Sequence, residues 1–198
     1  MSKDSKKEIL TIGGLPGSGK STVTKLLVQK LAYKFFSTGN FARELAIKMG
    51  LTLEQFNGLV ASDKSIDEHI DKEQIRIGQE ENHYVIDSIL GFHFIPQSFN
   101  ILLTVPLEVA AERIWQDKQT SLRLATGDTA TTYREVLDKT QKRILNHEAR
   151  YFEHYSVQVY AQGNYDLVID TLDKDPEAVS IIIMSAYKNW LSSWWMLF

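Results

Sequence analysis

Ile9-Leu10-Thr11-Ile12-Gly13-Gly14-Leu15-Pro16-Gly17-Ser18-Gly19-Lys20-Ser21-Thr22 is the stretch that decides how this chain folds. Ile9 to Ile12 is a short continuous apolar run, the pattern of a strand buried on both faces. Beyond the stretch, Val23, Leu26, Leu27 and Leu31 recur at helical spacing and share one face. Between strand and helix lies a glycine, four residues, then Gly-Lys-Ser, running from Gly14 to Ser21 and extended by Thr22. A strand before and a helix after are the context this phosphate-binding pattern requires. Glycines let successive backbone N–H groups converge on phosphate oxygens at a helix N-terminus, where the macrodipole favours an anion. Gly14, Gly17, Ser18, Gly19, Lys20, Ser21 and Thr22 are therefore the expected nucleotide-binding residues. Lys20 is expected to reach the β- and γ-phosphates, and the Ser21 hydroxyl to ligate magnesium. A glycine-rich turn of no consequence is the competing reading, and spacing, Lys-Ser and context all count against it.

Working outward, the pattern keeps alternating between strand and helix. Lys34-Phe35-Phe36 reads as a short extended piece ending at Ser37-Thr38-Gly39, with a helix from Phe41 to Met49. Residues 53 to 81 read as helical, punctuated by Gly58, with Ser62 or Asp63 as caps. Tyr84-Val85-Ile86-Asp87 and Ile101-Leu102-Leu103-Thr104-Val105 read as buried strands, the second followed by Pro106 at a helix start. Asp117 to Thr132 is polar and threonine-rich, the pattern of a mobile loop. A long helix is expected from Thr132 to Tyr155, then a strand at Leu167-Val168-Ile169-Asp170 and a closing helix from Pro176. Continuous apolar strands alternating with helices predict an α/β fold, a parallel sheet with helices on both faces. In such sheets ligands bind at the carboxyl ends of the strands.

Composition narrows the function classes. The 198 residues carry 22 Lys+Arg against 25 Asp+Glu, a net charge of −3, and no cysteine. One domain is expected at this length. Lack of cysteine excludes a disulfide framework, a thiolate metal site and a cysteine nucleophile. The slightly acidic balance argues against a nucleic-acid partner. The charged tail Met1 to Glu8 meets an apolar run too short for a signal-peptide core, so a cytoplasmic protein is expected. A membrane span needs roughly 20 apolar residues, and Lys188, Asn189, Ser192 and Ser193 interrupt the aromatic end, so no span is expected. Ile183, Tyr187, Trp190, Trp194 and Leu197 mark an apolar helical face. That face either packs on the sheet of a monomer, forms a homodimer contact or touches a membrane surface.

The loop alone does not separate kinases from switches or motors. No guanine-reading Asn-Lys-x-Asp segment is present. Instead Ser37-Thr38-Gly39-Asn40-Phe41-Ala42-Arg43-Glu44 follows the second strand and places Arg43 one turn into a helix facing the same crevice. An arginine there can fork onto the phosphate of a second, acceptor nucleotide, or pair with a surface carboxylate. Asp87, at the end of a strand beside the loop, can hold magnesium through water, contact the acceptor, or simply cap the turn. Asp63, Asp67 and Asp71 sit where a carboxylate can accept a hydrogen bond from a base's amino group, although Asp67 and Asp71, at helical spacing, read rather as a solvated face. Arg113, Arg123 and Arg134 are weaker candidates for phosphate contact; Arg113 reads rather as an ion-pair partner of Glu112 or a neighbour, and Arg134 as part of a solvated helix face. Arg143 and Arg150, seven residues apart, project from one helix face. The five histidines show no metal-ligand spacing.

With these residues in place, the chain resembles the nucleoside monophosphate kinases, and within them the cytidylate kinase-like proteins. The resemblance runs from Ile9 to Ile182. It rests on the loop, on Ser37-Thr38-Gly39 with Arg43 and Glu44, and on Ile66-Asp67 and Ile70-Asp71. It continues in Val85-Ile86-Asp87-Ser88, Thr104-Val105-Pro106-Leu107-Glu108, Ala111-Glu112-Arg113, Arg150-Tyr151 and Tyr165 to Thr171. The resemblance implies a single P-loop kinase domain over 1–198 with a five-stranded parallel sheet and a core of 9–37 and 84–191. It further implies a helical acceptor-binding insert at 38–81 and a short lid at 117–132. The implied reaction is phosphoryl transfer from ATP, with magnesium, to a monophosphate, CMP or dCMP foremost. Thr38, Arg43 and Asp87 are the implied acceptor contacts, Ser21 and Asp87 the magnesium ligands, and Lys20, Arg143 and Arg150 the phosphate clamp.

The chain departs from the family pattern in two places. Where an arginine usually follows two residues after the strand's aspartate, this chain has Ile89. Asn146 and His147 stand where Ser and Glu are common between the two arginines. Ile89 keeps open a nucleotide sensor without transfer. Asp87 keeps open a kinase for another small-molecule acceptor, because it can serve as a base toward a hydroxyl.

Overall fold

The computed structural model describes residues 6–62, 64–117 and 132–195. Its elements run β1 (Ile9–Gly14), α1 (Lys20–Leu31), β2 (Lys34–Ser37), α2 (Thr38–Lys48), α3 (Leu53–Ser62) and α4 (Lys64–Glu80). Then follow β3 (Tyr84–Asp87), α5 (Gly91–Phe94), β4 (Phe99–Thr104), α6 (Leu107–Asp117), α7 (Tyr133–Tyr155), β5 (Leu167–Asp170) and α8 (Pro176–Trp195).

The five strands form one sheet in the order β2-β3-β1-β4-β5, and every neighbouring pair is parallel. All six residues of β1 are buried, as its unbroken apolar run demands of a central parallel strand. Register aligns the carboxyl ends. Ile12 lies beside Asp87, Ser37 beside Asp87, and Gly14 beside Leu103. From β1 the chain crosses to β2 on one side, and from β3 it crosses to β4 on the other. The crevice outside β1 and β3 is therefore the point at which a sheet of this kind takes its ligand.

Side-chain alternation divides the core. Leu10, Ile12, Ile101, Leu103 and Ile169 point to the face covered by Val23 and Leu27 of α1 and by Val179, Ile183 and Tyr187 of α8. Ile9 and Ile86 point to the opposite face, against Ile77 of α4 and Ile95 after α5. A separate cluster of Ala46, Phe56 and Val60 holds α2 and α3 together.

The aromatic face at the chain's end packs on the sheet as far as it is described. Tyr187 is 2% exposed, and the Trp190 ring lies 5.4 Å from Phe99 with the Lys6 ammonium 4.5 Å above it. The helix starts as its sequence predicts, with the Asp175 carboxylate accepting from the Ala178 N–H at 2.7 Å just before Pro176. The side chains of Trp194 and Trp195, and the whole of Leu197, lie outside the described residues. Among the described residues no helix is long and apolar enough to cross a membrane.

Several expectations are corrected. The second helix begins at Thr38 rather than Phe41, because the Ser37 hydroxyl accepts from the Asn40 N–H at 3.3 Å and caps it. Asp71 is 8% exposed and not part of a solvated face, since α4 lies against the core there. Arg113 does not pair with Glu112; it donates to the Thr171 hydroxyl at 3.0 Å and to the Thr171 and Leu172 carbonyls, tying α6 to the end of β5. The expected lid (118–131 of it), Asp63, the Asp67 side chain and Arg123 lie outside the described residues.

Candidate functional site

The loop between β1 and α1 is shaped by its glycines. Gly14 has φ +148, and a Cβ there would sit 2.3 Å from the Leu103 carbonyl oxygen. Gly17 has φ +74, and its Cβ would meet the Ala110 carbonyl oxygen at 2.5 Å. Both neighbours are backbone, so neither can give way. The loop ends at Gly19, and α1 starts with no side-chain cap. A twelve-residue helix thus presents its N-terminus to the crevice with its anion-attracting end uncapped. Ser18 is 1% exposed and its hydroxyl has no hydrogen-bond partner. Replacing Gly17 by alanine is expected to cost roughly 1–3 kcal/mol of loop strain. A lower melting temperature together with lost ATP-induced stabilisation is the expected readout; an unchanged ATP shift would show that the loop tolerates a Cβ.

Lys20 curls over this loop, donating to the Gly14 and Leu15 carbonyls, each at 2.8 Å. Burial pushes its ammonium down to about 8, against the pull of Asp87 and with help from the positive charge of Arg143. A lysine so placed is poised to exchange two carbonyls for a more strongly charged partner. Asp87, at the end of β3, lies near the Ser21 hydroxyl. Burial raises its carboxyl, while Lys20, Arg43 and Arg143 and the Ser21 hydroxyl oppose the rise.

The remaining elements close on the same carboxylate. The Thr38 hydroxyl donates to the Asp87 carbonyl at 3.3 Å, so the start of α2 is pinned to the end of β3. Arg43, one turn on, donates to the Asn40 side chain at 2.9 Å and lies within electrostatic reach of Asp87. Arg143 of α7 acts on Lys20, Asp87, His147 and Tyr160. Arg150 lies over the Tyr151 ring at 4.7 Å and donates to its hydroxyl at 2.7 Å. Thus β1, α1, β3, α2 and α7 together bring Lys20, Ser21, Asp87, Thr38, Arg43 and Arg143 to one crevice.

Sequence reasoning marked His147 only as a departure from the family pattern and missed Tyr160. His147 stands one turn beyond Arg143, and burial with the charges of Arg143, Arg150 and Lys20 pushes its imidazole down to about 3, so it is neutral. Burial also raises Tyr160 well above the ordinary tyrosine range. Neither the His147 Nδ1 nor the Tyr160 hydroxyl has a hydrogen-bond partner. The spacing of 143, 147 and 150 is the signal that could have found His147 on the arginine face, but nothing in the pattern locates Tyr160. Among the described residues no cluster of three or more His, Asp or Glu could hold a metal ion. Ser21 and Asp87, two neighbouring hard oxygen ligands, are the pair that suits magnesium bound mainly through water and phosphate.

A parallel 2-3-1-4-5 sheet, a glycine loop opening a helix and basic side chains converging on it define a P-loop kinase fold. Solved structures agree on that fold. Shikimate kinase from Aquifex aeolicus superposes with a TM-score of 0.55 at 18% identity, covering 91% of this chain and 96% of that one. Shikimate kinase from Bacteroides thetaiotaomicron does so with 0.57 at 15%, covering 93% and 96%. Residues 10–134 match the family model described as AAA_18, AAA domain. Cytidylate kinase from Methanocella arvoryzae is 34% identical over 178 residues, covering 90% of this chain and 95% of that protein. Cytidylate kinase from Methanocaldococcus jannaschii is 33% identical over 185 residues, covering 91% and 98%. A protein of Lacinutrix mariniflava named S-adenosylmethionine-dependent nucleotide dehydratase is 36% identical over 186 residues. That match covers 92% of this chain, which spans only 36% of the longer protein's length. The chain belongs to the cytidylate kinase family of nucleoside monophosphate kinases.

Proposed function

We propose that the protein transfers the γ-phosphoryl group of ATP to a pyrimidine nucleoside monophosphate, CMP or dCMP, giving CDP or dCDP. The observation that carries this reading is that Asp87 and its basic neighbours Lys20, Arg43 and Arg143 converge from separate elements on one crevice. Such a surplus of cations suits two facing phosphate groups. The acceptor's phosphate oxygen is already anionic, so no strong base is needed. It forms a new bond to the γ-phosphorus as the bond to the β,γ-bridging oxygen breaks, and ADP leaves with that electron pair.

In this reading the loop from Gly14 to Thr22 and Lys20 hold the donor phosphates. Thr38, Arg43 and Asp87 contact the acceptor. Arg143 and Arg150 draw the transferring group into line. Ser21 and Asp87 would hold magnesium, which would supply positive charge against the phosphates. The helices from 38 to 81 form the acceptor insert, and 117–132 the lid.

Ile89 supports a second reading, a nucleotide binder with weak or absent transfer. An arginine acting on a transferring phosphate contributes about 10³–10⁵ in rate, and this chain has none at that position. A coupled assay for ADP release with CMP, dCMP, UMP, AMP and GMP as separate acceptors decides between them. Stimulation by CMP or dCMP alone is expected. ATP binding without any monophosphate-dependent release would overturn the kinase proposal in favour of the second reading.

A further inference from the structure

A chain of buried polar side chains joins the end of α7 to the turn that follows β3, by way of α4. The Tyr155 hydroxyl donates to the Asp71 carboxylate. The Gln74 amide nitrogen lies 3.5 Å from the other oxygen of Asp71, and the Ser88 hydroxyl donates to the Gln74 carbonyl. Ser88 in turn accepts from the Leu90 N–H at 3.2 Å, and its own N–H is held by the Ile12 carbonyl at 3.2 Å. Asp71, Gln74 and Ser88 are 8%, 1% and 3% exposed.

Polar groups so deeply buried destabilise a core unless each is satisfied, and a satisfied network fixes one arrangement of the elements that carry it. Apolar residues in these places would hold α4 to the sheet equally well, as Ile77 does one turn on. What the polar chain adds is direction. Ser88 is covalently next to Asp87. Tyr155 closes the helix that carries Arg143 and Arg150, and its ring lies 6.3 Å from Tyr151, the ring beneath the Arg150 guanidinium. His93 and Phe94 pack against Tyr155 at 5.5 Å, so its ring has little freedom to leave Asp71.

We infer that Asp71, Gln74 and Ser88 with Tyr155 form a positioning relay that sets the arginine helix α7 against the Asp87 turn and α4. None of the four needs to touch substrate. The inference rests on the phosphoryl-transfer reading for its kinetic consequence, but not for the mechanical link itself.

The test uses Tyr155→Phe, Asp71→Asn and the double variant of the full chain. Tyr155→Phe keeps the ring and its packing, and Asp71→Asn keeps an acceptor oxygen. Each single variant is expected to lower kcat about ten- to hundredfold, the loss that a slight misplacement of reacting groups brings. ATP binding should be unchanged, and the double variant no slower than the worse single one. Amide exchange supplies a readout independent of turnover: either single variant should speed exchange in both the last turns of α7 and the middle of α4. Unchanged kcat in an active wild-type background overturns the relay, as does a parallel loss of ATP binding. Faster exchange confined to the element carrying the substitution overturns it too. A wild-type protein without monophosphate-dependent turnover overturns the kinase reading instead, and the exchange experiment then decides the relay alone.

Discussion

Replacing Lys20 by alanine is expected to lower phosphoryl transfer by about 10²–10³-fold, the loss that follows removal of one preorganised donor to developing charge. The ammonium faces the loop from a half-buried position, with two backbone carbonyls as its hydrogen-bond partners. Binding a phosphate chain there replaces neutral acceptors with charged oxygens, so part of the interaction strengthens as charge moves toward the β-phosphate. The same burial creates a pH signature. With the ammonium pushed down to about 8 in the ligand-free protein, ATP affinity should fall as pH rises through that value.

Stability moves the other way. The unfolded chain holds this proton up to about 10.5, the folded protein only to about 8, so the unfolded state binds more protons between the two. Stability therefore rises with pH across that window, and the cost of burying the ammonium is fully present below it. Lys20→Met should abolish both the affinity loss and the stability rise. ATP titrations and melting curves between pH 7 and about pH 10 read both. An affinity flat across pH 8, or a stability rise that survives Lys20→Met, would assign the titration to another group.

What the sequence made legible was whatever local chemistry decides. The phosphate loop demands glycine where a Cβ would meet backbone, so the φ values of Gly14 and Gly17 are foreshadowed by the residue type. Continuous apolar runs found β1, β3, β4 and β5, because covered strands need no polar alternation, while β2, exposed at Lys34 and Phe35 on the sheet edge, was legible only as a short extended piece. Asp87 was legible for the same positional reason, as the polar residue closing a buried strand. The errors lie where tertiary contact overrides local pattern. Asp71 has the spacing of a solvated helix face, yet the helix turns that side toward Tyr155, which is 84 residues away. Arg113 follows a glutamate, yet its guanidinium finds the carbonyls at the end of β5, 58 and 59 residues on. Tyr160 belongs to no periodic element, and only the folded chain brings it within reach of Arg143. Sequence spacing reports neighbours along one element and says little about which neighbours a sheet will supply.

The arginine pair of α7 gives the other large effect. Arg143→Ala is expected to lower kcat by about 10³-fold, at the lower end of what an arginine on a transferring phosphate contributes. Arg143 is exposed, so its removal should leave the melting temperature nearly unchanged. ATP affinity should change far less than kcat, because transition-state charge is the target. Arg150→Ala removes a guanidinium stacked on Tyr151 and should reduce both kcat and, slightly, stability. If both arginines act on one phosphoryl group, the double variant will be far less impaired than the product of the single losses. His147 supplies an internal reporter that needs no turnover. Its imidazole is held at about 3 by burial first and then by Arg143, Arg150 and Lys20. Removing both arginines should therefore raise its titration midpoint, though burial keeps it below the ordinary 6.5. A histidine signal that does not move in the double variant would mean that neither arginine faces the crevice. A shifted signal with an unaltered kcat would separate their electrostatic presence from any part in transfer, and Ile89 would then mark a chain that binds nucleotide without using the pair.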